Sequence, residues 1–503
     1  MCYRLYAVLL YFRDCLENLM QTANALGGGR YTILPPDGPF DTCAWRLSVV
    51  KTFQLLSKGY ALSVANTGNY ISVAYRAVTP KKPYIKHVTT LGDSQRIVAI
   101  EDIRNDQGVS LVKRGTLINS SLYERLVRHK LLRPIDHVVS VEDPVTPLSL
   151  VIEAKRLLSK ETDLQQAVDS RFIQRDLLTP LGSIRLEPQL AFKLTVCREQ
   201  SYERYQHMLR VALIALHIAS RSRWSADDAQ QLATAAIFHD LGEMHLEPSL
   251  FDGNPLTLEQ RRQIFAHPTI AYLFLKEFPA YHPQVSLAVY QHHERVDGSG
   301  YPAGVSGDGV VPAARVIGAS ELFVVTQLSE GRSARRLFST ADVLAFNAEK
   351  FDSEIILFLI EAAKCIKKDT DTWLNSSSAN KKVLFERLQF VAKILQGAEG
   401  LGAGCQNDMT AFINKQLEHI LEMANRCGAN LHAAADLLEL IDDDIALLEL
   451  DSLVQEMIFL VQNTAREAMR RWAEDELPGH QQEALSEWLR NAEMALYKAG
   501  YLI

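Results

Sequence analysis

Residues 292–302 read His292-His293-Glu294-Arg295-Val296-Asp297-Gly298-Ser299-Gly300-Tyr301-Pro302. The string follows an apolar helical run, Val285–Tyr290, and so stands at a helix end. Two adjacent imidazoles at such an end are rare as plain structure. The second half predicts a tight turn, because Gly298 and Gly300 can take φ > 0 and Pro302 stiffens the exit.

Upstream, further histidines stand beside carboxylates; eight of the fourteen in the chain fall between His207 and His293. Glu203 and His207 are four apart in a helical stretch, which puts them on one face, one turn apart. His239-Asp240 closes the apolar run Leu232–Phe238 and precedes Leu241-Gly242. Polar residues closing a buried helix are costly unless satisfied, by a metal or by a helix-end hydrogen bond. His267-Pro268 follows Leu258–Phe265, and Glu321 lies on the apolar helix Ala313–Leu328.

Together these are five histidines (His207, His239, His267, His292, His293) and three carboxylates (Glu203, Asp240, Glu321). One octahedral ion accepts about six ligands and a hydrolytic one keeps a position for water, so the set implies at least two ions. Imidazole and carboxylate without thiolate suit iron or manganese, with zinc also admitted. His217 lies off the His207 face and reads as a core or surface histidine. His245 and His282 lack a partner at ligand spacing and read as surface residues.

The chain of 503 residues has room for three or four domains. Hydrophobic residues at 47% and charged residues at 22% exclude wholesale disorder and fibrous repeats. The net charge of −7 carries no basic stripe, which argues against a nucleic-acid partner. The seven cysteines are scattered and include no C-x-x-C, a reduced pattern rather than a disulfide framework. No apolar run approaches a membrane span, and the start lacks a signal-peptide pattern, so a cytoplasmic chain is expected.

The expected architecture is mainly α. Residues 1–85 are of unclear fold, with an amphipathic helix near the start, a flexible Gly/Pro-rich stretch from Gly27 to Pro39 and a β-like run at Tyr70–Tyr75. Residues 86–145 read as a small β-rich module with turns at Asn105–Gly108 and Gly115 and a helix start at Asn119-Ser120-Ser121. Residues 146–195 form a helical linker, with candidate helices at Leu148–Ser159 and Leu164–Leu178. The metal-binding domain spans 196–366. Residues 371–503 read as a helical bundle burying one stripe of Ile413, Leu417, Ile420 and Ala424 and another of Leu453, Met457, Leu460 and Val461. Asp442-Asp443-Asp444 reads as a solvated face or turn.

In this order, His239-Asp240-Leu241-Gly242, His267-Pro268 and the 292–302 string resemble the HD-GYP family, a branch of the HD-domain metal-dependent phosphohydrolases. Glu203 with His207, and Val311-Pro312-Ala313-Ala314-Arg315 before Glu321, add weaker matches. The resemblance covers about a third of the chain. It implies an all-helical HD-type domain holding two or three divalent ions and hydrolysing cyclic di-GMP, a bacterial second messenger, through a metal-bridged hydroxide. Carried over by position, His207, His239, Asp240, His267, His292 and His293 are metal ligands. Asp240 is the bridging carboxylate, and His239 and Asp240 form the catalytic pair. Glu203 matches the extra ligand of three-metal members, and Glu321 falls where the family usually has Asp.

The expected substrate contacts are Glu243, Arg295, Tyr301, Arg332, Arg335 and Arg336. Glu243 stands where the family commonly has a phosphate-holding Lys. A carboxylate there repels phosphate unless it ligates metal or pairs with a cation such as Arg295. The family's second Asp and Arg-Pro-Tyr-Arg stretch are replaced by Val324-Val325 and Gly331-Arg332-Ser333-Ala334-Arg335-Arg336. The leading expectation is a phosphodiesterase acting on cyclic di-GMP or a related cyclic dinucleotide. Two alternatives stay open: a catalytically weak or inactive signalling module that binds metals and nucleotide or a protein, and an HD phosphohydrolase for another phosphorylated nucleotide. The resemblance also links the Gly-Tyr-Pro loop to a diguanylate-cyclase-type protein partner, and a homodimer is compatible with the reading.

Overall fold

The computed structural model describes residues 61–67, 70–76, 81–168, 177–252, 258–327, 343–345, 347–366, 381–402, 408–426, 438–439, 441, 444–471 and 488. The helix expected near the start, the Gly/Pro-rich stretch, and Arg332, Arg335 and Arg336 lie outside these residues, as do Asp442 and Asp443. The chain divides into two compact units, Met1–Arg76 and Ala77–Ile503. In the first, strands β1 (Ala61–Thr67) and β2 (Tyr70–Arg76) pair antiparallel, with Ala61 opposite Arg76 and Thr67 opposite Tyr70.

The second unit begins with helix α1 (Lys81–Leu91), so the boundary expected at residue 85 falls inside a helix. Two small antiparallel pairs follow. Strand β3 (Ile97–Ala99) pairs with β6 (Val139–Val141), and β4 (Ile103–Arg104) with β5 (Ser110–Val112). Asn105 holds the first turn by accepting from the backbone N–H groups of Gln107 and Val109. Gly108 and Gly115 take φ of 81° and 84°, as the turn residues predicted. Asn119 caps a short 3-10 turn through Ser121 N–H, and α2 (Tyr123–Val127) follows. Val88, Leu91, Ile97, Ile103, Ile118 and Leu126 are buried in a core continuous with that of the helices that follow.

Helix α3 (Pro147–Lys160) opens on a capping box at Thr146 and Ser149. The second linker helix, α4 (Thr162–Ala167), is shorter than expected. Helix α5 (Leu178–Gly182) and helix α6 (Pro188–Gln200) precede α7 (Tyr202–Arg221), the centre of the domain. From Met208 to Ala219 every side chain of α7 is buried, because α3, α6, α8 (Ala226–Phe238) and α12 (Pro312–Gln327) surround it. Each fully buried Leu or Ile there contributes about 2 kcal/mol. Helix α9 (Leu258–Ile264) precedes α10 (His267–Leu275), which packs on α11 (Pro283–Gln291); α11 packs on α8 and α12, and α13 (Ser353–Cys365) packs on α12.

Helices α14 (Lys381–Gly402), α15 (Asp408–Arg426) and α16 (Asp444–Arg471) pack around their own core. Ile413, Leu417, Ile420 and Ala424 are buried, as are Leu453, Met457, Leu460 and Val461. Among the described residues, no helix is long and apolar enough to cross a membrane. The fold is mainly α with a small β region, in line with the sequence reading.

Candidate metal centre

Helix termini deliver the histidines. Helix α8 ends at Phe238, so His239 and Asp240 follow its apolar face and are buried. A 3-10 turn, Leu241–His245, carries the chain away. Helix α10 starts at His267, and α11 ends just before His292 and His293. His207 reaches the same point from the second turn of α7.

Asp240 lies between two groups of imidazoles. Its Oδ2 is 3.1 Å from His239 Nε2 and 3.5 Å from His207 Nε2. Its Oδ1 is 3.3 Å from His267 Nε2 and 3.6 Å from His292 Nε2. His267 Nε2 in turn lies 3.2 Å from Nε2 of both His292 and His293. Two donor groups result, one of His207, His239 and Asp240 and one of Asp240, His267, His292 and His293; in each, the ligand atoms lie within 4.8 Å of one another. Asp240 is common to both.

The rings are oriented by backbone carbonyls close by in the chain. Nδ1 of His239, His267 and His292 faces the carbonyl three residues back, that of Ala236, Ile264 and Val289, at 2.8, 2.8 and 2.6 Å. An Nδ1–H donated there leaves the Nε2 lone pair pointing at the centre, the arrangement that metal-ligating histidines use. His239 Nε2 is fully buried and makes no hydrogen bond of good geometry despite its nearness to Asp240. Lone pairs facing lone pairs in a buried space need a cation between them. The donor set therefore fits divalent metal, and an HD domain implies it.

The electrostatics have the same origin. Burial lowers His207 to about 4 and His292 to about 3, and it drives His293 well below the usual range. Burial also acts against the charged form of His239, but the adjacent Asp240 outweighs it and holds that ring up at about 9. Asp240, which burial alone would raise, is held well below the carboxylate range, chiefly by His239.

Glycine sets the approach of the two segments nearest the site. A Cβ on Gly242 would lie 2.1 Å from the carbonyl oxygen of His267, and one on Gly300 2.4 Å from that of His293. The Gly-Tyr-Pro loop is tied down by Glu294, whose Oε1 accepts from the backbone N–H groups of Ala303 and Gly304 at 2.6 and 3.0 Å.

Glu321 and Glu203 stand apart from the two donor groups. Glu321 Oε2 lies 3.5 Å from His293 Nδ1, and burial together with Asp240 raises its carboxyl to about 7. Glu203 is exposed. Arg295, offered by the sequence as the cation for Glu243, is turned into the protein. Its Nη1 donates to the carbonyls of His292 and Glu294, and its guanidinium lies over Phe351. Glu243 instead meets Arg204, a residue that sequence reasoning passed over although it adjoins Glu203; Nε donates to Glu243 Oε2 at 2.5 Å. Tyr301 stacks on His293, with ring centres 4.6 Å apart.

Of the remaining histidines, His217 is buried against Phe358, and His282 is an exposed N-cap of α11. His245, expected on the surface, is instead wedged between Tyr84 and Phe274 with Lys193 Nζ 3.4 Å away. Helix α1 folds back over it, a contact that no local spacing reveals.

An HD domain family model matches residues 186–355. The chain is 31% identical over 116 residues to the cyclic di-GMP phosphodiesterase response regulator RpfG of Xanthomonas campestris pv. campestris, covering 23% of this chain and 31% of that protein. It is 30% identical over 263 residues to the 3'3'-cGAMP-specific phosphodiesterase 3 of Vibrio cholerae, covering 50% and 56%. Residues 186–355 thus carry an HD domain. A cyclic di-GMP phosphodiesterase of Pseudomonas aeruginosa is 24% identical over 209 residues, covering 40% of this chain and 50% of that protein. The chain thus spans between a third and just over half of the length of these relatives. The family match begins within the segment expected as a linker, because α6 runs unbroken across residue 195.

Proposed function

We propose that this protein is a metal-dependent phosphodiesterase that hydrolyses a cyclic dinucleotide, cyclic di-GMP or 3'3'-cGAMP. The carrying observation is Asp240, one carboxylate whose two oxygens face two separate imidazole groups. Relatives named as phosphodiesterases for these two nucleotides support the substrate class. The metal set in this reading is His207, His239, Asp240, His267, His292 and His293, with iron or manganese as the ions. Bound together, paired divalent ions supply a strongly activated water and neutralise charge on phosphate.

The chain's own residues do the rest. Asp240 holds both halves of the site at a fixed spacing. His239, His267 and His292 keep their Nε2 atoms aimed inward through their backbone contacts. Tyr301 stacks on His293 and Phe265 packs on Tyr301, so that flank is lined by aromatic rings.

The test is hydrolysis of cyclic di-GMP and of 3'3'-cGAMP by the anaerobically prepared iron or manganese form. A His239→Ala/Asp240→Ala variant serves as control. Cleavage of either nucleotide that disappears in the variant supports the reading. Tight nucleotide binding without cleavage by the loaded wild type overturns it in favour of a binding module.

A further inference from the structure

We propose that Arg204 receives a phosphate of the substrate and that Glu243 holds the same guanidinium until substrate displaces it. The pair then sets the affinity of the site for phosphate. The inference rests on the reading that the site acts on a phosphodiester.

Its basis is the way Arg204 is held. Arg204 lies one helical turn before His207 on α7, and Glu243 follows Asp240 by three residues, so the pair flanks the His207–Asp240 half of the centre. The side chain is fixed in place. Nη1 donates to Ser201 Oγ at 2.9 Å and lies 3.8 Å from Met244 Sδ, and the guanidinium sits 4.6 Å over the Phe251 ring.

The contact with Glu243 is one-pronged, through Nε alone. Two other Arg–Glu pairs of the same domain are forked. Arg210 engages Glu161 through Nε and Nη2, and Arg156 engages Glu153 in the same way. Arginine and a carboxylate with free access to each other adopt the fork because it adds a second charge-assisted bond. At Arg204 the Nη2 half of the fork makes no hydrogen bond to any described residue. A phosphate oxygen pair fits that Nε–Nη2 edge bidentately, which is the geometry arginine offers phosphate. The neighbouring cations are committed elsewhere: Arg210 to Glu161, and Arg295 to two carbonyls. Substitution of phosphate for Glu243 also leaves the local charge balanced.

The experiment titrates the metal-loaded full chain with inorganic phosphate by calorimetry and measures metal content alongside. Wild type is compared with Glu243→Gln, Arg204→Gln, Arg204→Lys and the Arg204→Gln/Glu243→Gln double variant. Glu243→Gln is expected to tighten phosphate binding about tenfold by removing a charged competitor, and Arg204→Gln to weaken it about tenfold with metal content unchanged. Arg204→Lys, which keeps the charge but loses the fork, is expected to fall between wild type and Arg204→Gln. The double variant is expected to match Arg204→Gln. Weaker phosphate binding in Glu243→Gln, or a gain from Glu243→Gln that persists without Arg204, overturns the proposal. Because phosphate binding needs no turnover, Arg204-dependent binding in a protein that cleaves no cyclic dinucleotide sinks the functional reading and leaves this one standing.

Discussion

Glu321 faces Nδ1 of His293 at 3.5 Å, while Nε2 of the same ring lies 3.2 Å from His267 Nε2 in the metal cluster. Glu321 Oε2 makes no hydrogen bond of good geometry at that distance, so His293 is faced by a buried carboxyl where His239, His267 and His292 face a backbone carbonyl within hydrogen-bond reach. Glu321→Gln, which removes the carboxyl facing that ring, is expected to retain the metal count and lower metal affinity by about tenfold, the usual effect of losing a partner just outside the ligands. Metal titration with a competing chelator reads the affinity, and elemental analysis reads the count. Loss of one ion per chain would make Glu321 a direct ligand.

Asp240 is shared by both donor groups. Asp240→Asn keeps the shape and removes the charge common to both donor groups, so both are expected to weaken together. The expected outcome is a protein with fewer than two ions per chain and no detectable hydrolysis, read by elemental analysis and a nucleotide assay. Full metal content in this variant would mean that the imidazoles suffice alone.

Gly242→Ala places a methyl 2.1 Å from the His267 carbonyl oxygen. Backbone must move, and a loss of about 2–4 kcal/mol is expected. Denaturant unfolding measures it, and metal content is expected to fall in parallel, since His267 shifts with its carbonyl.

Helix α3 grips α7 through Glu153, whose Oε1 accepts from Tyr202 Oη at 2.7 Å and Gln206 Nε2 at 3.2 Å besides the Arg156 fork. Burial pushes this carboxyl up, but the three donors together outweigh burial and bring it down to about 2 from an ordinary 4.5. A depressed folded value means stability that is complete above about 4.5 and lost as pH falls toward 2. Glu153→Gln is therefore expected to destabilise the protein at pH 7 and to differ less from wild type at pH 3. Urea midpoints at the two pH values check this; an equal gap at both removes the carboxylate's charge from the account.

Lys193 is buried, with Nζ 3.3 Å from Asp136 Oδ1 and 4.1 Å from the Tyr84 ring centre. This contact welds the small β module to the metal-binding domain. Lys193→Met strands a buried carboxylate and is expected to lose about 3–5 kcal/mol, whereas Lys193→Met/Asp136→Leu recovers most of it. Thermal unfolding of the two variants decides, and equal losses in both would show that packing rather than charge holds the seam.

His239, Asp240, His292 and His293 were legible because each sits where an apolar run stops. Phe238 and Gln291 end their helices, and the polar residues that follow have no other reason to be buried. The C-terminal stripes were legible from helical spacing. What escaped was tertiary pairing. Arg204 and Glu243 are 39 residues apart, and His245 is covered by a helix more than 150 residues upstream in the chain. Helix α7 is apolar on nearly every side, so periodicity could show that it was helical but not that it was central.

The carbonyl three residues before each ring has a kinetic consequence for His239, His267 and His292. Three imidazole planes are already set by peptide groups that belong to rigid helices. An incoming cation therefore meets a preset cage and has no rings to rotate, so uptake is governed by access to the interior and not by local rearrangement.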